Sequence, residues 1–412
     1  MDRLFLITWL VFGSVITLSA QTKNESWIHR QSKAIQEHLD SALYKKVDTS
    51  YIEVPKKAWR VILRPKANQL YTTLKSSFDD ELLSKLSETY NYNFSSADIS
   101  WNMIVNQPVS TSVGVWVGYR GLGVGYSQSL TKNSGRHFSL SSTGANYGLT
   151  FSLRRFSTDD VTVKVHGDLG NYGAFDIQDS YPSYAPIWIR SVFLDGYYVF
   201  RGKRYSQAAA YNQSVIQRRS AGSFLLGLSW YQSSVDLSDK LNGDIILAAN
   251  NVGKMKIHQA NIGVGYGYNW VPARNWLVNV MAMPTVSVYN RVKITKYESN
   301  YAYYIRDDVS DDGYGTWNEE TKQWSNGRSK KPMPVDENDK SWQKDVDVWE
   351  TGTETKNTHW KLNINGRAGV TYFGKDWFAS IYGQIHRFSY DHEETGVRLY
   401  DWYVNGSIGI RF

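Results

Sequence analysis

From Tyr400 onward, every second residue is apolar or glycine: Tyr400, Trp402, Val404, Gly406, Ile408, Ile410 and Phe412. Asp401, Tyr403, Asn405, Ser407, Gly409 and Arg411 lie between them. A period of two predicts a strand with one apolar and one polar face. The pattern recurs along the chain. Trp59, Val61 and Leu63 alternate with Arg60, Ile62 and Arg64. Val113, Val115, Val117 and Tyr119 alternate with Ser112, Gly114, Trp116 and Gly118. Arg120-Gly121 turns that strand into Leu122, Val124 and Tyr126. Further apolar faces run through Phe138 and Leu140; Leu149, Phe151 and Leu153; and Val192, Leu194, Tyr198 and Phe200. Others follow at Phe224–Trp230, Ile262–Tyr268, Trp276–Val280, Leu362–Val370 and Trp377–Ile385, with a weaker one at Val161–Val165. Strands in which lipid and lumen faces alternate are those of a membrane barrel. The expected fold is all-β, a transmembrane antiparallel up-and-down barrel of about 12–14 strands with a short helical segment before it.

Counting back from the C-terminus puts the short turns at Arg120-Gly121, Val271–Asn275 and Gly374-Lys375 on one rim, expected to be periplasmic. The stretches 234–257, 291–358 and 390–396 then fall on the other rim, outside the cell. Residues 158–187 do not fit this parity; they require a long periplasmic connection or a different strand reading. Asp79–Tyr90 reads as a short surface helix. Ahead of the barrel, Leu4–Leu18 is mostly apolar and is followed by Ser19-Ala20, so 1–20 reads as a secretory signal peptide. Residues 21–57 form an N-terminal periplasmic segment, either a helix on Ile28, Ile35, Leu39 and Leu43 or a disordered leader. The barrel occupies 58–412, with 291–358 as its long external loop. The expected location is the outer membrane of a Gram-negative bacterium. Phe412 and its strand, through Tyr400, Trp402, Ile408 and Ile410, resemble the insertion signal by which such barrels engage the barrel assembly machinery.

Composition narrows the functional classes. No long apolar run follows the leader, and mean hydropathy is -0.46, so helical spans are not expected. Aromatic content of 15% with 32 glycines suits interfacial girdles and closely packed walls. The absence of cysteine removes disulfides, thiol catalysis and Cys-ligated metals. The formal charge of +7 comes from scattered Lys and Arg with no basic run, which disfavours nucleic acid and favours outer-membrane lipids such as lipopolysaccharide, or an anionic solute.

Two stretches carry a resemblance. Arg204-Tyr205-Ser206-Gln207-Ala208-Ala209-Ala210-Tyr211-Asn212-Gln213 and Gln217-Arg218-Arg219-Ser220-Ala221-Gly222-Ser223-Phe224-Leu225-Leu226-Gly227 resemble a Bacteroidetes-type outer-membrane barrel family catalogued as a domain of unknown function, number 4421. Asp48-Thr49-Ser50-Tyr51-Ile52 looks like that family's opening motif. The resemblance implies fold and location from Asp48 to Phe412, and no reaction, ligand or site residue.

Three groups of residues are candidates for function. Parity puts Arg60, Arg64, Arg154, Asp195, Lys361, Arg367, Asp401 and Arg411 in the lumen, as pore lining or as a packed ionic network. Gln213, Gln217, Arg218, Arg219, Ser220, Gly222 and Ser223 form either a ligand site or a side-chain brace for a periplasmic turn. Asp308, Ser310, Asp312 and Glu319 have the spacing of a calcium loop, though without flanking helices; no other cofactor is expected. No nucleophile elbow or metalloprotease pair is present; His386 is expected inside and His258 on the lipid side. Three readings stay open: a non-enzymatic narrow pore or solute-handling channel, a surface binding barrel working through 291–358, and a lipid- or peptide-acting enzyme.

Overall fold

The computed structural model describes residues 47–77, 98–106, 109–131, 135–168, 170, 173–249, 251–299, 317–318, 323–324, 348–357, 360–392 and 395–412. The expected leader, the expected helices at 28–43 and 79–90, and the calcium candidates Asp308, Ser310, Asp312 and Glu319 lie outside these residues. In chain order the strands are β1 (Ile52–Glu53), β2 (Trp59–Ser77), β3 (Asp98–Asn106), β4 (Ser110–Tyr119), β5 (Leu122–Ser129), β6 (Arg136–Thr143), β7 (Tyr147–Asp168), β8 (Ala174–Val199), β9 (Ile216–Gln217), β10 (Ala221–Asp236), β11 (Val252–Trp270), β12 (Trp276–Ser299), β13 (Trp317–Asn318), β14 (Gln323–Trp324), β15 (Val348–Asn357), β16 (Leu362–Phe373), β17 (Trp377–His392) and β18 (Thr395–Arg411). Among the described residues two short α-helices interrupt them, α1 (Gln207–Tyr211) and α2 (Gly243–Ala248).

Twelve strands close one antiparallel ring in the order β2, β4, β5, β6, β7, β8, β10, β11, β12, β16, β17, β18 and back to β2. Closure removes every sheet edge that lipid could not satisfy. β3 continues the line of β4 along β2 and reaches over the short β5–β6 hairpin to pair with β7. β15 likewise continues β16 along β12. The stretch 158–187 is one long hairpin: Val161–Val165 is the distal half of β7, paired with Tyr181–Ile177 of β8. No extra periplasmic connection is needed. The sequence parity fails there because the register shifts between Thr158 and Asp160.

The alternation predicted from sequence fixes the two faces of the wall. Leu63, Val115, Leu149, Leu226, Ile262, Val280, Ile381 and Ile408 point outward and are exposed; Ile62, Trp116, Ser223, Asn261, Met281 and Ser407 point inward and are buried. Glycine lets the first hairpin hold a large inward side chain: a Cβ at Gly118 or Gly123 would fall inside the Trp116 indole. The turns after β4, β6, β11 and β16 are short and share a rim with Trp59 and Phe412, whose backbones exchange hydrogen bonds of 3.2 and 3.1 Å. The connections leaving the distal ends of β10 and β12 are long. The strands themselves take residues 291–299 and 348–357, so the long loop is 300–347.

Candidate functional site

The lumen is filled on three levels. At the near rim, shared with Phe412, residues 200–220 fold back into the barrel instead of forming a simple turn. Ser206 caps α1, its hydroxyl accepting from the Ala209 amide at 3.3 Å. Ala208, Ala209 and Ala210 are buried, and α1 lies against β12 and β16. Ala209, Val215 and Ile216 pack with Ile52, Ile62, Trp116, Leu277, Phe373 and Phe378 in one apolar cluster. Five residues are too few for an independent helix, so this packing holds α1.

The polar motif braces the plug. Gln217 Nε2 donates to the carbonyls of Arg204 (2.6 Å) and Arg219 (2.9 Å); its Oε1 accepts from the Ser206 amide (3.1 Å) and Asn269 Nδ2 (3.0 Å). Gln213, at φ 52°, donates from Nε2 to the Ala210 carbonyl at 2.8 Å. Ser220 Oγ accepts from the Val271 amide at 2.9 Å and Ser223 Oγ from the Arg201 amide at 2.9 Å. A Cβ at Gly222 would collide with the Tyr266 hydroxyl. In this geometry the motif's side chains hold the plug's own backbone and the neighbouring strands. β1 pairs with β9 across the plug's base. Arg218 Nε donates to Glu53 at 2.6 Å, and the Tyr51 ring faces the Arg204 and Arg219 guanidinia at 5.0 and 5.8 Å. The opening motif at Asp48–Ile52 and the 204–227 region thus meet as one clasp.

At the far end the lumen is apolar. α2 brings Ile245, Ile246 and Ala249 onto inward residues of the distal wall, among them Val161, Val163, Ile187, Ile189, Met255 and Ile257. Asn242 pins this cap to β8, exchanging hydrogen bonds of 3.1 Å with the backbone of Ala185.

Between plug and cap lies a cavity of about 150 Å³. Arg64, Lys66, Arg154 and Arg367 reach it, against one lining carboxylate, Asp195. Arg367 pairs with Asp195, and Arg154 Nη1 pairs with Asp401 at 2.6 Å. Arg64 and Lys66 instead lie over the rings of Trp116 (4.8 Å) and Tyr403 (4.3 Å). Among the residues lining it, Arg64 Nε and Nη2 and Arg154 Nε are buried donors without a protein acceptor. The Gln384 amide joins the Tyr403 hydroxyl to the His386 ring.

The lumen candidates therefore separate by level. Arg64, Arg154, Asp195 and Arg367 line the chamber, and Asp401 stands behind Arg154. Arg60 and Arg411 are buried at the near rim: Arg60 donates to the Arg120 carbonyl, and Arg411 lies over the rings of Phe373 and Phe378 and donates to the Gln213 carbonyl at 3.3 Å. They hold the rim and are not chamber residues. Lys361 sits at the break between β15 and β16, its backbone bonded to Ser287, and is not among the residues lining the chamber. Sequence reading missed Lys66 and His137. Lys66 shares the parity of Arg60 and Arg64, and His137 that of Ser139 and Ser141, so alternation alone would have placed both inside.

A closed antiparallel wall with an outward apolar belt and a polar chamber inside is that of an outer-membrane β-barrel. Residues 46–412 match the family described as Domain of unknown function (DUF4421), and the chain belongs to that family. No curated protein matches the chain in sequence. Among solved structures, it is similar to the outer membrane protease OmpT from Escherichia coli at 6% identity and TM-score 0.33, covering 89% of this chain and 100% of that one. It is also similar to the translocator domain of the autotransporter NalP from Neisseria meningitidis (9% identity, TM-score 0.29, 93% and 96% covered). An outer membrane channel from Pseudomonas putida F1 matches at 9% identity and TM-score 0.26, with 88% and 98% covered. Likeness this distant carries no weight for function.

Proposed function

We propose that this protein is a non-enzymatic, gated solute-handling barrel of a Gram-negative outer membrane, closed at rest, whose chamber admits a small anion. In this reading the chain is exported by a cleaved signal, β18 engages the assembly machinery, and the rim bearing Phe412 is periplasmic. The observation that carries the function is the cationic chamber, in which four cations meet one lining carboxylate and half-buried Arg64 lies over the Trp116 ring with two donor nitrogens unpaired. A buried cation is costly unless paired, and an anionic solute supplies the missing partner. The α1 plug and the α2 cap are the two gates.

The test is conductance across planar bilayers under a salt gradient. The wild-type barrel is expected to conduct little. Replacing 207–215 and 240–248 by short glycine-serine linkers should open an anion-selective pore, provided heat-modifiable mobility shows that the barrel has assembled. Arg64→Gln with Lys66→Gln in that background should move the reversal potential toward zero. An assembled, opened barrel without anion preference, or one indifferent to the two substitutions, defeats the proposal.

The surface-binding reading keeps one supporting observation: Trp317 and Trp324 pair across a small hairpin within the 300–347 loop. For the enzymatic reading, His386 is buried inside and His258 lies on the outer face, so these two share no site; His137 lines the chamber together with His386.

A further inference from the structure

A line of cations crosses the outer face of the wall. Arg136 on β6 is the direct partner of Arg155 on β7, and Arg155 of Arg190 on β8. The line continues through Ser234 on β10 to Lys256 on β11 and Lys293 on β12. Six adjacent strands thus carry five cations in one register. With neighbouring strands about 4.8 Å apart, the row is about 24 Å long. Arg136, Arg155, Arg190 and Lys293 are exposed, and Lys256 is half-buried on the same outer face.

Its place on the wall gives the row its meaning. One layer nearer the membrane centre, the outward positions on β6, β7 and β8 are Phe138, Leu153 and Val192, the last of the apolar belt. Arg155 lies over the Trp188 ring at 4.1 Å, and Arg291, beside the row, lies over Tyr289 at 5.7 Å. Tryptophan and tyrosine mark the level where lipid tails give way to headgroups. Two nearby carboxylates are engaged elsewhere: Asp236 holds Lys254 at 2.9 Å, and Glu354 lies between Lys296 (3.7 Å) and Lys356 (3.9 Å). Like charges directly opposite on a sheet repel. Three consecutive arginine partners are therefore a destabilising arrangement for the protein alone.

We infer that this row binds the phosphates of an anionic lipid of the outer leaflet, lipopolysaccharide being the class that presents them beside acyl chains. Guanidinium pairs bind phosphate in a bidentate fork, and the adjoining apolar belt receives the chains. The assignment rests on the orientation proposed above, with the distal rim outside; it does not depend on the chamber's solute, so its failure leaves that reading untouched.

The test uses the full barrel in detergent and follows its unfolding temperature by heat-modifiable mobility. Bisphosphorylated lipid A should raise the unfolding temperature of the wild type by several degrees, and the response should shrink in high salt. Dephosphorylated lipid A should give little. Arg136→Gln, Arg155→Gln and Arg190→Gln combined should abolish the response while leaving the lipid-free barrel as stable as wild type or more so, since repulsion is removed. Arg274→Gln, on the opposite rim, should respond like wild type. An unchanged response in the triple variant, or an equal one to dephosphorylated lipid, overturns the inference. So does full stabilisation by inorganic phosphate alone, which would make the row a free-anion site.

Discussion

At the scale of single residues, the direction of a side chain through the wall decides what a substitution does. Leu226 points outward and is 43% exposed to what is lipid in the membrane. Ser229, three positions on, turns inward, and its hydroxyl accepts from Asn261 Nδ2 at 3.2 Å. A strand leaves no intermediate choice, because each step of one residue reverses the face. Arginine at Leu226 is therefore expected to cost about 2–4 kcal/mol near the membrane centre. Arginine at Ser229 meets the polar lumen and should cost much less. The difference is read as the yield of heat-modifiable barrel and the urea midpoint of refolding into vesicles. Equal loss in both variants would mean that the assigned facing is wrong. Residues such as Gln217 work differently. Three of its hydrogen bonds hold backbone from both ends of the plug, at Arg204, Ser206 and Arg219, and another ties the plug to the Asn269 side chain on the wall.

At the scale of elements, the N-terminal clasp gives a pH dependence. Asp48 accepts from the Ser50 hydroxyl (2.6 Å), the Ser50 amide (3.1 Å) and Arg204 Nε (3.3 Å). The Ser50 hydrogen bonds, with a smaller part from Arg204, hold its carboxyl below the ordinary carboxylate range. A depressed folded-state pKa contributes stability above the unfolded value, and that contribution is lost as pH falls through the folded value. Amide protection around Ser50–Ile52, taken relative to the intrinsic exchange rate at each pH, should thus fall in acid, and Asp48→Asn should remove most of that pH dependence. Exchange equally acid-sensitive in Asp48→Asn would show that another group controls the clasp. The clasp and plug were only partly legible in the sequence. The motif residues could be picked out, but Gln207–Tyr211 is too short to display a helical period, and only tertiary packing makes it a plug. The wall was legible wherever lipid outside and polar groups inside sharpen the contrast. It blurred at 158–187, where the register shift coincides with inward residues, Val161 and Val163, that are themselves apolar.

At the scale of the whole molecule, the two rims differ, and the proposed orientation rests on that difference. One rim joins β4 to β5, β6 to β7, β11 to β12 and β16 to β17 by short turns, and carries the clasp and plug. The other carries the connections 237–251 and 300–347. Outer-membrane barrels keep short turns on the periplasmic side and longer loops outside. The cation row lies toward the second rim, so lipid binding and loop exposure follow from one choice of direction. That choice can be tested without reference to solute or lipid. An epitope tag inserted after Asn326 should be bound by antibody on intact cells, and added protease should cut within 300–347 while leaving a protected barrel fragment. A tag inserted in the Val271–Asn275 turn should be reached only after the outer membrane is permeabilised. The reverse pattern would invert the barrel, put the plug on the outside, and place the arginine row in the inner leaflet, where the lipopolysaccharide assignment could not stand.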